Sequence, residues 1–99
     1  MSALKHPIRL AIIGAAGRLG LEITALAVAD PRFCLHALLV SPGSALLTKP
    51  SPCAPLNYVA TLETSVDVII DVSLPQAFAQ TAKAVRDSDA ALVCGVTGF

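Results

Sequence analysis

Three glycines at a spacing of three stand in Gly14-Ala15-Ala16-Gly17-Arg18-Leu19-Gly20, where an apolar run gives way to a helical pattern. That spacing suits phosphate chemistry. Gly14 can make a tight turn, Gly17 leaves room for backbone N–H groups to approach a pyrophosphate at the positive end of a helix, and Gly20 lets helix and strand pack closely. The same letters also occur in ordinary β-α turns. The flanking strand and helix are what point to a dinucleotide.

A dinucleotide site usually carries a carboxylate about 20 residues further on, at the end of the second strand, to hold the adenosine ribose hydroxyls. Here that strand ends in Leu39-Val40-Ser41, and no acid occurs between Asp30 and Glu63. Ser41, with Lys49 or Arg18, is left as a partner for a 2′-phosphate, so NADP(H) is expected over NAD(H). Val72-Ser73 and Gly95-Val96-Thr97 follow two later strands and share the carboxyl edge of the same sheet, where open α/β sheets bind ligands. Ser73 is read first as a helix N-cap, with Gln76 completing a capping box, and second as a cleft residue facing a nicotinamide ribose. Asp67 reads as a strand-entry residue. Asp71 reads as a structural carboxylate bonding loop N–H groups.

Other chemistry finds little support. His36 has no acid or cysteine pair near it in the pattern and reads as a packed or surface histidine. Cys34, Cys53 and Cys94 are odd in number and widely spaced, which suggests neither a disulfide framework nor a zinc site but buried or incidental thiols in a reducing cytoplasm. No catalytic residue and no metal ligand is assigned.

The elements that must position these residues follow from periodicity. Residues 8 to 13 form a short apolar strand closed by Gly14, and Leu19, Ile23, Leu26 and Ala27 then fall at helical spacing up to Asp30-Pro31. Cys34 to Val40 is a second strand, parallel to the first by the right-handed crossover rule. A proline-rich surface loop covers 41 to 57 with Leu46-Leu47 as its apolar anchor, and a brief strand is expected at Tyr58 to Ala60. Asp67 to Val72 is the clearest strand. Phe78, Ala82 and Val85 line a second helix, and Ala91 to Cys94 supplies a last strand. The fold class is α/β, a Rossmann-like doubly wound parallel sheet of five strands in the order 3-2-1-4-5.

With 99 residues the chain holds one small domain, read as 1–99. Its 7 Lys+Arg balance 7 Asp+Glu, which disfavours nucleic acid and anionic membranes as partners, and no apolar run reaches the roughly 18 residues of a membrane span.

Taken together, "IRLAIIGAAGRLG", "PGSALL", "DVIIDVSLPQAF" and "LVCGVTGF" resemble, in order and spacing, the amino-terminal half of the bacterial 4-hydroxy-tetrahydrodipicolinate reductases, also called dihydrodipicolinate reductases. The resemblance implies an enzyme of lysine and diaminopimelate biosynthesis that passes a hydride from NADH or NADPH to a cyclic imine dicarboxylate. It implies that Gly14, Gly17, Arg18 and Leu19, with Ala15 of the same turn, contact the cofactor phosphates. Val72 and Ser73 would lie near the nicotinamide ribose, and Gly95 and Thr97 at the nicotinamide end, Thr97 also bordering the substrate. Val40 and Ser41 depart from the acid or arginine common in the family, and Val96 from its threonine. The family's histidine-rich motif, its lysine acid and its P-S-G-T loop are not in these residues, so the fold is expected to be incomplete at its carboxyl end, without the substrate domain and inactive alone.

Two other readings stay open: a dinucleotide-binding or interaction module that acts on its own or joins a full-length reductase, and a non-functional truncated paralogue. The strand order makes Ala91 to Cys94 an edge strand with apolar side chains on show, so an exposed patch is expected there, hidden by self-association or by a further domain.

Overall fold

The computed structural model describes residues 7–53, 56–73 and 78–95. Its elements are β1 (Ile8–Ile13), α1 (Arg18–Ala29), β2 (Phe33–Leu39), β3 (Tyr58–Val59), β4 (Val68–Asp71), α2 (Phe78–Ser88) and β5 (Ala91–Cys94). The five strands form one sheet in the order β3-β2-β1-β4-β5, every neighbouring pair parallel. The doubly wound architecture expected from the sequence is the one observed.

β1 sits at the centre because its side chains can be buried on both faces. Leu10 and Ile12 pack with Ala15, Ala27, Leu38 and Tyr58 on the α1 side. Ala11 and Ile13 pack with Ala37, Leu39, Ile69 and Ala84 on the α2 side. Each fully buried Leu or Ile contributes about 1.5–3 kcal/mol of transfer free energy, an upper estimate. At the entry to β1, Arg9 grips Asp67 just ahead of β4: Arg9 Nη2 lies 2.8 Å from Oδ1, while the Arg9 backbone N–H and Nε donate to Oδ2 at 2.9 and 3.2 Å. Asp67 is thus the strand-entry residue that the sequence suggested.

Several boundaries and faces differ from expectation. In α1 the buried residues are Gly20, Thr24 and Ala27, while Leu19 and Leu26 are exposed, Leu26 at 71%. The reason is proximity. At Gly20 the helix lies so close to the turn after β1 that a Cβ would clash with Ala15, so small residues take the innermost face; Ile23 still packs against the core, while Leu19 and Leu26 face outward. In α2 the innermost residues are Thr81 and Ala84, with Ala82 and Val85 half-buried; the Phe78 side chain lies outside the described residues. The loop after β2 carries more order than its prolines suggest. Thr48 donates its N–H to the Tyr58 carbonyl, Tyr58 donates to the Lys49 carbonyl, and Pro50 and Asn57 form an antiparallel bridge. Leu47 packs against the core, but Leu46 is exposed.

Cys34 and Cys94 are exposed and Cys53 is half-buried, so of the two alternatives, buried or incidental thiols, none of the three is fully buried. His36 is the extra residue where the β1–β2 register shifts between Leu10 and Ala11. It is half-buried and borders, with Pro7, Arg9 and Cys34, a cavity of about 400 Å³ at the amino-terminal edge of the sheet. β5 is the edge strand, with all of its residues exposed and Val93 at 56%.

Candidate functional site

The site is built where β1 turns into α1. Gly14 has φ +82°, a region that favours glycine, and a Cβ there would lie 2.7 Å from both Cα and N of Ser73. The Gly14 and Ala15 N–H groups both donate to the Leu39 carbonyl, at 3.0 and 3.1 Å, which ties the turn to the end of β2. Ala15 is buried, and its N–H is committed to that carbonyl.

Gly17 is the N-cap of α1, with φ −74° and ψ 172° and no side-chain cap. Its N–H donates to the Gly14 carbonyl at 3.2 Å, and its carbonyl accepts from Leu21 at 2.9 Å. No acidic residue occupies the first turn. The N–H groups of a helix's opening residues, here Arg18, Leu19 and Gly20, have no partner within the helix, and they add the positive end of the helix dipole. The result is a set of donors and a partial positive charge at the carboxyl edge of the sheet.

The three motif glycines differ in what surrounds them. A Cβ at Gly20 would lie 2.8 Å from Ala15 Cα and carbonyl carbon and would also press on the Gly14 carbonyl oxygen. A Cβ at Gly17 would meet only the Gly14 oxygen at 3.5 Å, an ordinary contact. The fold therefore demands glycine at 14 and 20 but not at 17. The space beside Gly17 is open toward the helix terminus, which fits an incoming phosphate.

The opposite wall comes from β4 and β5. Val72 donates its N–H to the Ile13 carbonyl at 2.9 Å, and Gly95 donates to the Asp71 carbonyl at 2.7 Å. Asp71 is 1% exposed and accepts from the Ser73 N–H at 2.9 Å, the Ser73 hydroxyl at 2.5 Å and the Thr81 hydroxyl at 2.6 Å. It is the structural strand-end carboxylate that the sequence suggested. Thr81, ten residues away on α2, gave no signal. Gln80 was missed too: its side-chain amide donates to the Val40 carbonyl at 3.0 Å and the Ala60 carbonyl at 2.5 Å, pinning α2 to the ends of β2 and β3.

Among the sequence-predicted site residues, Gly14, Ala15, Gly17, Arg18, Leu19, Val72, Ser73 and Gly95 all belong to the β1–α1 turn, the first residues of α1 or the ends of β4 and β5, on one edge of the sheet. Ser41 follows β2 on the same edge, exposed, with its carbonyl accepting from Ser44 N–H. Thr97, Val96 and Gln76, the last expected to complete a capping box, lie outside the described residues. Among the described residues no group of three or more His, Cys, Asp or Glu could hold a metal ion, and no helix is long and apolar enough to cross a membrane.

A parallel doubly wound sheet with a glycine turn and an uncapped helix N-terminus at its carboxyl edge defines a Rossmann-like nucleotide-binding domain. Residues 8–99 match the family model described as "Dihydrodipicolinate reductase, N-terminus". The chain is 33% identical over 96 residues to the 4-hydroxy-tetrahydrodipicolinate reductase of Thermomicrobium roseum, covering 93% of this chain and 37% of that one. It is 38% identical over 94 residues to that of Xylella fastidiosa strain M23, covering 93% and 39%. A solved dipicolinate-bound dihydrodipicolinate reductase from Paenisporosarcina sp. TG-14 superposes with a TM-score of 0.69 at 25% identity, over 94% of this chain and 38% of that one. The fold is also shared with aspartate semialdehyde dehydrogenase II from Vibrio cholerae, at a TM-score of 0.68 and 17% identity, over 93% of this chain and 31% of that one. The chain belongs to the dihydrodipicolinate reductase family and corresponds to its amino-terminal part. It spans less than two fifths of the length of each of these relatives.

Proposed function

We propose that this chain is the dinucleotide-binding part of a cytoplasmic 4-hydroxy-tetrahydrodipicolinate reductase and that it takes NADPH in preference to NADH. The observation that carries this reading is the open, uncapped N-terminus of α1 beside Gly17, the one motif glycine that the fold itself does not require. Arg18 and Leu19 offer N–H groups to the pyrophosphate there, and Gly14 shapes the turn. Val72, Ser73 and Gly95 border the nicotinamide half, with Thr97 expected near the substrate. The bound nicotinamide supplies the hydride for the imine of a cyclic dicarboxylate. The residues here hold and orient that cofactor.

The preference for NADPH is supported by the absence of any carboxylate between Asp30 and Glu63 and by exposed Ser41, Lys49 and Arg18, which suit a 2′-phosphate. Calorimetric titration with NADPH and NADH tests both points. Tighter binding of NADH would overturn the preference, and no binding of either at millimolar concentration would favour a non-functional paralogue.

A second reading, a module that joins another chain such as a full-length reductase or a second copy, is favoured by the exposed Leu92, Val93 and Cys94 of β5. Exposed edge strands invite pairing. Sedimentation alone and with a full-length reductase separates the cases: a strictly monomeric, non-associating chain would count against it.

A further inference from the structure

The cavity of about 400 Å³ at the amino-terminal edge of the sheet brings together three side chains that the dinucleotide reading does not use: Arg9, Cys34 and His36. Its size lies within the roughly 300–1,000 Å³ of small-molecule sites. Arg9 and Cys34 are partners in the β1–β2 register, so they stand side by side on one face of the sheet, about 4.8 Å from strand to strand. His36 follows two residues later. The register shift makes it the extra residue of β2, and it borders the same cavity.

Each of the three brings a different capacity. The Cys34 thiol is exposed, and sulfur is a nucleophile once its proton has gone. The His36 ring carries a nitrogen that can accept a proton. A guanidinium has five N–H donors, and Asp67 takes two from the Arg9 side chain, one from Nε and one from Nη2, so three remain for another carboxylate. The Arg9 side chain is 38% exposed and open to an incoming molecule. Cys94 supplies a contrast within the same chain. It is exposed too, but its partner in the β4–β5 register is Asp71, a carboxylate in place of a guanidinium.

We propose that Cys34 is a modification site for small disulfides that carry carboxylates, the class to which glutathione disulfide belongs. Arg9 holds a carboxylate of the reagent in the cavity, and His36 takes the Cys34 proton. The Cys34 sulfur then attacks one sulfur of the small disulfide: a protein–reagent S–S bond forms and the reagent's own S–S bond breaks. The departing thiolate receives the proton from His36 and leaves as a thiol. Cys34 is oxidised and the departing half of the reagent is reduced, so the exchange needs no other oxidant. Arg9 stands five residues before Gly14 on the same strand, about 16 Å away, so this site is separate from the dinucleotide site and independent of that reading.

The test exposes the full chain to glutathione disulfide and, separately, to the same disulfide with its carboxylates esterified, and maps the adducts over time by mass spectrometry. The readout is the rate at Cys34 divided by the rate at Cys94. Because the two reagents share one skeleton, comparing their ratios cancels any difference in access between the two thiols. Glutathione disulfide is expected to give a ratio about five- to tenfold higher than its ester, the yield of one hydrogen bond between charged groups at an exposed site. His36→Ala should lower the rate at Cys34 with both reagents and leave the rate at Cys94 unchanged. Equal ratios for the two reagents would overturn the proposal, as would a wild type that reacts at Cys94 alone or a folded His36→Ala chain that reacts at Cys34 as fast as wild type. The comparison of reagents uses the wild-type chain and decides the matter whether or not the variant folds.

Discussion

Alanine at Gly20 and alanine at Gly17 should have opposite effects, although the two glycines belong to one motif. At Gly20 the added methyl would lie 2.8 Å from backbone atoms of Ala15, about 0.6 Å inside ordinary contact, and backbone cannot swing aside as a side-chain end can. Relief requires α1 to lift from the β1 turn, loosening the packing of Thr24 and Ala27. Such overpacking costs about 1–3 kcal/mol, against which alanine's better helix propensity returns up to about 1 kcal/mol. The net loss is on the order of 1–2 kcal/mol, a fall in Tm of about 4–16 °C for a domain of this size. At Gly17 the methyl meets only the Gly14 oxygen at 3.5 Å, with φ −74° that any residue adopts. Stability should stay within about 0.5 kcal/mol of wild type, since a poorer N-cap is offset by a less flexible unfolded chain. The same methyl occupies the approach to the helix N-terminus, so NADPH affinity should fall at least about tenfold, one lost charge-assisted hydrogen bond. Circular dichroism melts and calorimetric titration measure the two quantities. A Gly17→Ala chain that binds NADPH normally, or a Gly20→Ala chain as stable as wild type, would refute the reasoning.

Further outcomes are expected elsewhere in the chain. Ser41→Asp places a carboxylate where a 2′-phosphate is expected, so the ratio of NADPH to NADH affinity should drop by about tenfold; an unchanged ratio in paired titrations would remove Ser41 from the site. Asp67→Ala should lower Tm more than Arg9→Ala does, because Asp67 also accepts the Arg9 backbone N–H, and equal shifts would show that only the ion pair counts. The Asp30 carboxyl is held down at about 2, chiefly by hydrogen bonds from the Arg32 side chain and then its backbone. A depressed folded value means that the stability from this pair is fully present above the ordinary carboxylate value of about 3.9 and is lost as pH falls through 2. NMR titration of Asp30 checks this, and a midpoint near 3.9 would contradict it.

Much of the framework was legible in local pattern. The apolar runs at 8–13, 34–40 and 67–72 are β-branched or leucine-rich and bounded by turn residues, so their strand character is local, and parallel pairing follows from the handedness of the connections. The glycine motif declares its place because glycine spacing records backbone demands directly. The buried face of α1 could not be read the same way: apolarity pointed to Leu19 and Leu26, yet the distance between helix and turn selects by size and puts Gly20 and Thr24 inside. Hydropathy carries no information about that distance.

The sequence by itself determined the strand-turn-helix unit, the absence of an acid after the second strand and the family to which these motifs belong, because each depends on residues close together in the chain. Only the tertiary structure decided which glycine is open to a ligand, which partners Asp71 holds and where Gln80 reaches. Those depend on backbone atoms brought together from Gly14 and Ser73, Asp71 and Thr81, and Gln80 and Val40. Contacts of that kind are set by how the helices seat on the sheet, and a linear pattern of residue types does not specify the seating to the fraction of an ångström that separates a clash from a contact.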